Sequence, residues 1–196
     1  MSLTVPTPTT ALEAVNIMLG AIGESPVSNL SSDNIDDVAV AKSILEEEMK
    51  AVQGEGWHFN SESKFPLALN SDNEVTVPTN CLSVDANTLL NPTMDVTLRG
   101  NRLYDKINHT FKFTQTIHVD MIIALPLEEM PEAGRRYVMV KAARVFQDRL
   151  VGSDVLHKFG SIDEARARST LVSTETDNAD RTIFSSTDEI ALLIRR

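Results

Sequence analysis

Residues 130–152, MPEAGRRYVMVKAARVFQDRLVG, constrain the fold more than any other stretch. Pro131 suits a first helical turn, where a proline gives up only an N–H that would lack an intrahelical partner. Glu132 places negative charge at the positive end of the helix dipole. At about 100° per residue, Val138, Met139, Ala142, Ala143, Val145, Phe146 and Leu150 share one face. Arg136, Lys141, Arg144, Gln147 and Asp148 take the other. Gly152 supplies a left-handed residue to end the helix. So broad an apolar face needs partners, and the start of the chain offers two.

Thr10 and Glu13 have the spacing of a capping box, which predicts a helix to about Ile22 with Leu12, Val15, Leu19 and Ile22 in one stripe. Gly23 ends it, and Glu24-Ser25-Pro26-Val27 turns into an extended piece. Residues 1–9, rich in Thr and Pro, are expected to be extended. Ser31 to Asp37 offers several N-caps for a second helix to about Gln53, with Val38, Ala41, Leu45, Met49 and Val52 spaced by three and four. Glu46, Glu47 and Glu48 point in three directions about 100° apart, so they read as a solvated face and not as an acid/base pair. Gly54 and Gly56 stop this helix, and Trp57, the lone tryptophan, is expected to anchor a core or an interface.

From Lys64 to Leu125 the period changes. Val75–Val77, Leu82–Val84, Met94–Arg99 and Val119–Leu125 are short β-type runs separated by Asn, Asp, Pro and Gly. Arg99-Gly100-Asn101-Arg102 predicts a tight hairpin, with Thr97 and Leu98 paired toward Leu103 and Tyr104. Asp105 to Gln115 reads as a polar surface loop. After Gly160, Ser161 and Glu164 predict a fourth helix from Ile162 to about Thr174. Beyond Ser173 the chain is polar, then ends in an apolar run, Ile190 to Ile194.

The fold class is therefore α+β: mainly a helical bundle of about four helices, with a small inserted antiparallel β region and an extended C-terminal arm. Residues 1–60 and 126–172 form the bundle, 61–125 the β region and 173–196 the arm. The central helix and Trp57 are expected to hold the bundle together, and the arm to reach a neighbour.

Composition narrows the function. The 196 residues carry a net charge of −10, which repels nucleic-acid phosphate at long range. The charge is uneven: residues 1–60 hold nine acids against Lys42 and Lys50, and residues 133–170 hold eight bases against four acids. Such asymmetry suits two faces with different partners, repeated subunits meeting acid to base, or a solvated surface with chance clustering. Cys81 is the only cysteine, so no intrachain disulfide forms. His58, His109, His118 and His157 lack the close spacing of a zinc site, so no metal or cofactor is expected. No run approaches the about 20 apolar residues of a membrane helix, and the first residues lack the basic and apolar regions of a signal peptide. A chain made in a cytoplasm is expected. Phosphate loops, the nucleophile elbow and the zincin pattern are all missing. A glycan hydrolase would need two carboxylates about 5–10 Å apart, and Asp85, Asp95, Asp105 and Asp120 of the β region are the candidates for that alternative. A monomeric scaffold or regulatory binding module is a third class.

Three segments carry a resemblance. They are Ala14-Val15-Asn16, Leu19, Ile22-Gly23-Glu24, Pro26-Val27 and Leu30; then Gly56-Trp57-x-Phe59-Asn60; then Glu129-Met130-Pro131-Glu132 followed by Lys141-Ala142-x-Arg144-x-Phe146. In this order they resemble the tail tubular protein A family of short-tailed (podoviral) bacteriophages, the adaptors or gatekeepers below the portal. The resemblance covers roughly residues 10–60 and 120–170. It implies a structural virion tail protein, not an enzyme, that forms a dodecameric ring. One face would dock on the portal protein and the other on the nozzle, tail tubular protein B, with tail fibres at the side. DNA would pass through the channel without specific binding, and no membrane would be involved. The expected interface residues are Arg135, Arg144 and Arg149 of the central helix and Ile190, Leu192, Leu193 and Ile194 of the arm. At least one of Arg135 and Arg149, which border the apolar stripe, is expected to reach an acidic partner within the subunit or across the ring.

Overall fold

The computed structural model describes residues 7–31 and 36–178. Four helices and five strands form an α+β chain: α1 Ala11–Ala21, α2 Asp36–Gln53, β1 Ser61–Leu67, β2 Cys81–Ala86, β3 Val96–Arg99, β4 Arg102–Asp105, β5 Ile117–Ile123, α3 Glu132–Leu150 and α4 Asp154–Asn178. By contacts the chain divides into two units, Met1–Glu48 with Leu127–Arg196, and Met49–Pro126.

In the first, helical unit, Thr10 caps α1 by accepting a hydrogen bond from the Glu13 N–H at 3.2 Å. The buried face of α1 is Ala14, Val15, Met18 and Leu19. The Asn16 side-chain amide accepts from the Val27 N–H at 2.8 Å and donates to the Val27 carbonyl at 3.0 Å. It thereby gives the extended Pro26-Val27 piece the hydrogen bonds a neighbouring strand would supply. Residues 32–35, where the N-caps of α2 were expected, lie outside the described residues.

Pro131 is the N-cap of α3 and not its first helical residue, with φ −63° and ψ 151°. The buried face of α3 includes Tyr137, Val138, Met139, Ala142, Phe146 and Gln147. Leu150, expected on that face, is exposed. Gly152 has the expected positive φ, +65°, and the Val151 and Gly152 N–H groups both donate to the Gln147 carbonyl. The start of α4 differs more. The helix begins at Asp154, not Ile162, because Ser153 caps it: its hydroxyl accepts from the Leu156 N–H at 3.4 Å. Gly160 and Ser161 are interior, and the Ser161 hydroxyl donates to the Lys158 carbonyl at 2.9 Å instead of capping a helix. Gly160 is where α3 comes close, since a Cβ there would lie 3.1 Å from Cγ of Arg144. The segment expected as an arm from residue 173 is still helix as far as Asn178.

In the second, β unit, a three-stranded antiparallel sheet has the order β1-β5-β2, and β3-β4 forms a separate hairpin. β5 alternates as a central strand must: Ile117, Val119 and Met121 face the core, with His118 and Asp120 on the opposite face. Leu67, Val75, Val77, Ala86, Val96, Leu103 and Phe113 complete that core. The hairpin has the expected register, Thr97 opposite Tyr104 and Leu98 opposite Leu103. β1 is an additional strand. It is polar and exposed apart from Leu67 and contains Pro66, which an edge strand tolerates. Val75–Val77 makes only isolated bridges, and the 105–115 loop is partly inward, with Asp105 and Phe113 buried.

The Gly56-Trp57-x-Phe59-Asn60 segment now has a physical reading. Gly56 has φ +75°, and a Cβ there would stand 2.8 Å from Cδ1 of Ile122. The Trp57 indole N–H donates to the Val52 carbonyl at 2.7 Å. Asn60, buried, donates to the carbonyls of Gln53 and Ile123, each at 2.9 Å, and accepts from the Trp57 N–H.

Candidate docking interface

The basic residues of α3 are the first candidates, and the structure engages them within the helical unit. Arg135 reaches backbone carbonyls: Nε donates to Met130 at 2.8 Å, Nη1 to Thr9 at 3.1 Å and Nη2 to Glu128. Beside it, Glu132 accepts from the N–H and hydroxyl of Thr9 at 2.8 and 2.7 Å. The first turn of α3 thus grips the segment leading into α1. Arg149 forms the acidic contact expected of it, with both carboxylate oxygens of Glu47 at 2.9 and 3.1 Å. That contact holds the Glu47 carboxyl below its ordinary pKa. Lys141 pairs with Glu48 at 3.0 Å. The three glutamates of α2 are therefore not simply a solvated face: Glu48 is buried, and two of them bind cations of α3.

Arg144 is the best anchored. It pairs with Glu164 of α4 through Nε and with Asp148 at 2.9 Å. Burial alone would lower its pKa, but the hydrogen bonds and charges of Glu164 and Asp148 outweigh that and raise it. Its stem also lines a groove of about 530 Å³ across the surface of α3. Ile17 and Ala21 of α1 form one wall, Leu156 and Phe159 of α4 the other, and Val140 and Ala143 of α3 the floor. Arg136, Asp163 and Arg166 add charge to the lining.

Two of the lining residues, Leu156 and Phe159, belong to an exposed apolar strip of α4. Phe159 is 63% exposed and Val155 62%, and Leu156, Ile162 and Ile17 are also exposed. The spacing of Val155, Leu156, Phe159 and Ile162 is that of a helix face, a signal hidden in the sequence by starting the fourth helix at Ile162. Ile190, Leu192, Leu193 and Ile194 lie outside the described residues.

Of the four aspartates of the β region only Asp85 and Asp120 are cross-strand neighbours, and each of the four is engaged locally. Asp95 pairs with Lys106 at 2.8 Å. Asp105 accepts from the N–H groups of Ile107 and Asn108 and from the Asn108 amide. Asp120 accepts from the Ser63 hydroxyl, the Lys64 N–H and the Asn87 amide. Asp85 is opposite Asp120 on the neighbouring strand and accepts from the N–H of Ala86. Burial pushes the Asp105 and Asp120 carboxyls up, but these hydrogen bonds win and both pKa values end lowered. A general acid needs the opposite shift.

The sequence model of a family described as Tail tubular protein matches residues 12–181. The chain belongs to the tail tubular protein family. It is also 27% identical over 143 residues to Tail tubular protein A of Klebsiella phage KP34, covering 72% of this chain and 74% of that one. This member of the family is a structural component of a phage virion tail, where it associates with other tail components. Among the described residues no helix is long and apolar enough to cross a membrane.

Proposed function

We propose that this tail protein is a ring-forming adaptor between the portal and the nozzle, twelve copies closing around the channel through which DNA leaves. The observation that carries the reading is the apolar groove of the helical unit, with Phe159 and Val155 largely in water. Apolar strips of this kind on a soluble unit mark contact surfaces. A head-to-tail contact, in which each copy offers a groove and receives a ligand, closes into a ring when the rotation per copy allows.

The arm supplies a fitting ligand. Ile190, Leu192, Leu193 and Ile194 follow Asp188 and Glu189, so one segment offers apolar side chains for Leu156 and Phe159 and carboxylates for Arg136 and Arg166. Arg144, lining the groove, stays in the proposed interface. Arg135 and Arg149 position elements within the subunit. Portal, nozzle and fibre contacts are the partners that family membership supports. Twelve copies at −10 each would carry about −120, and an acidic lumen offers DNA phosphates few attractive contacts.

Negative-stain imaging with light scattering, on the protein alone and mixed with portal rings of the same virus, tests the reading. Twelve-fold rings, or portals that gain a layer, are expected. Phe159→Asp should abolish them while changing stability by no more than about 0.5 kcal/mol, as for other exposed positions. A wild-type chain that stays monomeric and leaves portals bare overturns the proposal.

A further inference from the structure

The β3-β4 hairpin places two arginines opposite each other, Arg99 and Arg102. Each stacks on an aromatic ring: Arg99 over Tyr104 at 3.6 Å and Arg102 over Phe111 at 4.4 Å. The rings meet edge to face with centroids 4.9 Å apart. The four side chains form one ladder of cations and rings. A guanidinium on a ring face keeps its N–H edge directed outward, where it can bind a carboxylate.

The two arginines differ in one respect. Arg102 has such a carboxylate: Nη1 donates to both oxygens of Glu74 at 2.9 and 2.8 Å. Arg99 is exposed and has no carboxylate partner among the described residues. The surroundings add to the imbalance. Residues 99–112 contain Arg99, Arg102, Lys106 and Lys112 against Asp105 alone, a local charge of 4 − 1 = +3 in a chain of −10. Asp105 is occupied by its own turn and Lys106 by Asp95. Among the described residues, the charge here without an ion-pair partner is that of Arg99 and Lys112.

We propose that this ladder is a contact surface for a second copy of the chain, whose carboxylate fills at Arg99 the place that Glu74 fills at Arg102. The inference rests on the ring reading and adds a second subunit contact to it. The chain itself supplies the complementary charge. Residues 1–60 hold nine acids against two bases, and Asp36, Asp37 and Glu46 of α2 have no ion pair among the described residues. Stacked Arg and Tyr are the residue types that dominate contact energies when a partner excludes water from them. Nucleic acid fits less well, because the chain as a whole, at −10, repels phosphate at long range.

Sedimentation of the full chain tests this with Arg99→Glu alone and combined with Asp36→Arg and Asp37→Arg. Arg99→Glu should weaken self-association about tenfold or more near 0.1 M salt, with a smaller gap near 1 M. The acid-to-base changes should restore part of it. A second measurement does not depend on the reversed charge folding well. Arg99→Lys, mixed as isotope-labelled and unlabelled chains and treated with a carbodiimide, should give amide cross-links from residue 99 to residues 1–60 of another copy. Cross-links confined to one chain overturn the inference, as does Arg99→Glu assembling like wild type; in both cases the ring reading stands. Loss of single-stranded DNA binding in Arg99→Glu with unchanged assembly also overturns it. A wild type that is monomeric at every concentration and also leaves portal rings bare removes the ring reading itself; where it assembles only on portals, the same variants are compared there, and Arg99→Glu adding a layer like wild type overturns the inference.

Discussion

Asp120 shows how one side chain can hold a local irregularity. Ser63 and Lys64 together face the single residue Asp120 across the β1-β5 pairing, forming a bulge. Lys64 sits there at φ +57°, a conformation that costs a non-glycine residue about 1–2 kcal/mol. The Asp120 carboxylate accepts from both bulge residues and also from Asn87. Two outcomes are expected in urea unfolding. Lys64→Gly should stabilise by up to about 1 kcal/mol, the strain relieved less the glycine's added chain entropy. Asp120→Ala should destabilise by about 1–3 kcal/mol, since the Lys64 N–H and the Asn87 amide lose their acceptor. If Lys64→Gly instead destabilises, the bulge is not held against strain. Amides do similar work elsewhere: Asn16 holds Val27, and Gln53 exchanges two hydrogen bonds with Leu125 at 2.7 and 3.0 Å. None of this is visible in a hydrophobic pattern, because a buried Asn looks like a surface Asn until its partners are in place.

At the scale of elements, legibility followed the chemistry that marks each boundary. Thr10, Gly152 and the Gly100 turn are local signals, and α1, the end of α3 and the hairpin register all follow from them. β1 is invisible in the sequence because SESKFPL is an edge strand, polar over its first four residues and broken by Pro66. The expected start of α4 is too late because Ser161 and Glu164 have the spacing of a capping box, whereas Ser153 is the cap and Gly160 is there to admit Arg144. That role is testable. Glycine to alanine inside a helix ordinarily gains about 0.5–1 kcal/mol. Here the new Cβ would meet Cγ of Arg144 at 3.1 Å, and Arg144 is held by Glu164 and Asp148. Gly160→Ala should therefore destabilise by about 1 kcal/mol, yet stabilise in an Arg144→Ala background, a coupling of about 1–2 kcal/mol. Calorimetric melts of the four chains measure it; additive effects would mean the two helices do not depend on this contact. The same misplaced boundary concealed the apolar strip at Val155–Ile162, so the most informative part of the candidate interface was the part least readable in advance.

For the whole molecule, the three carboxyls among the described residues that depart from their ordinary values, Glu47, Asp105 and Asp120, all shift downward. Asp105 and Asp120 have an ordinary value of 3.8. With folded pKa values lower than that, the unfolded chain binds these protons more readily. Their contribution is complete above 3.8 and disappears as pH falls through 3.8 and then through the folded values. The urea midpoint of the β unit should drop across that window. Asp105→Asn should be less stable at neutral pH and show a shallower drop; an unchanged slope would remove Asp105 from the account. The β unit, Met49–Pro126, is one uninterrupted stretch, whereas the helical unit joins Met1–Glu48 to Leu127–Arg196. On the ribosome every residue of the β unit is available before α3 exists. The clasp of Glu132 and Arg135 on Thr9 spans 123 and 126 residues, so α1 must wait through the synthesis of the entire insertion. The groove that α1 and α3 help to build is then among the last surfaces to form, and a chain stalled in synthesis has no docking site to offer.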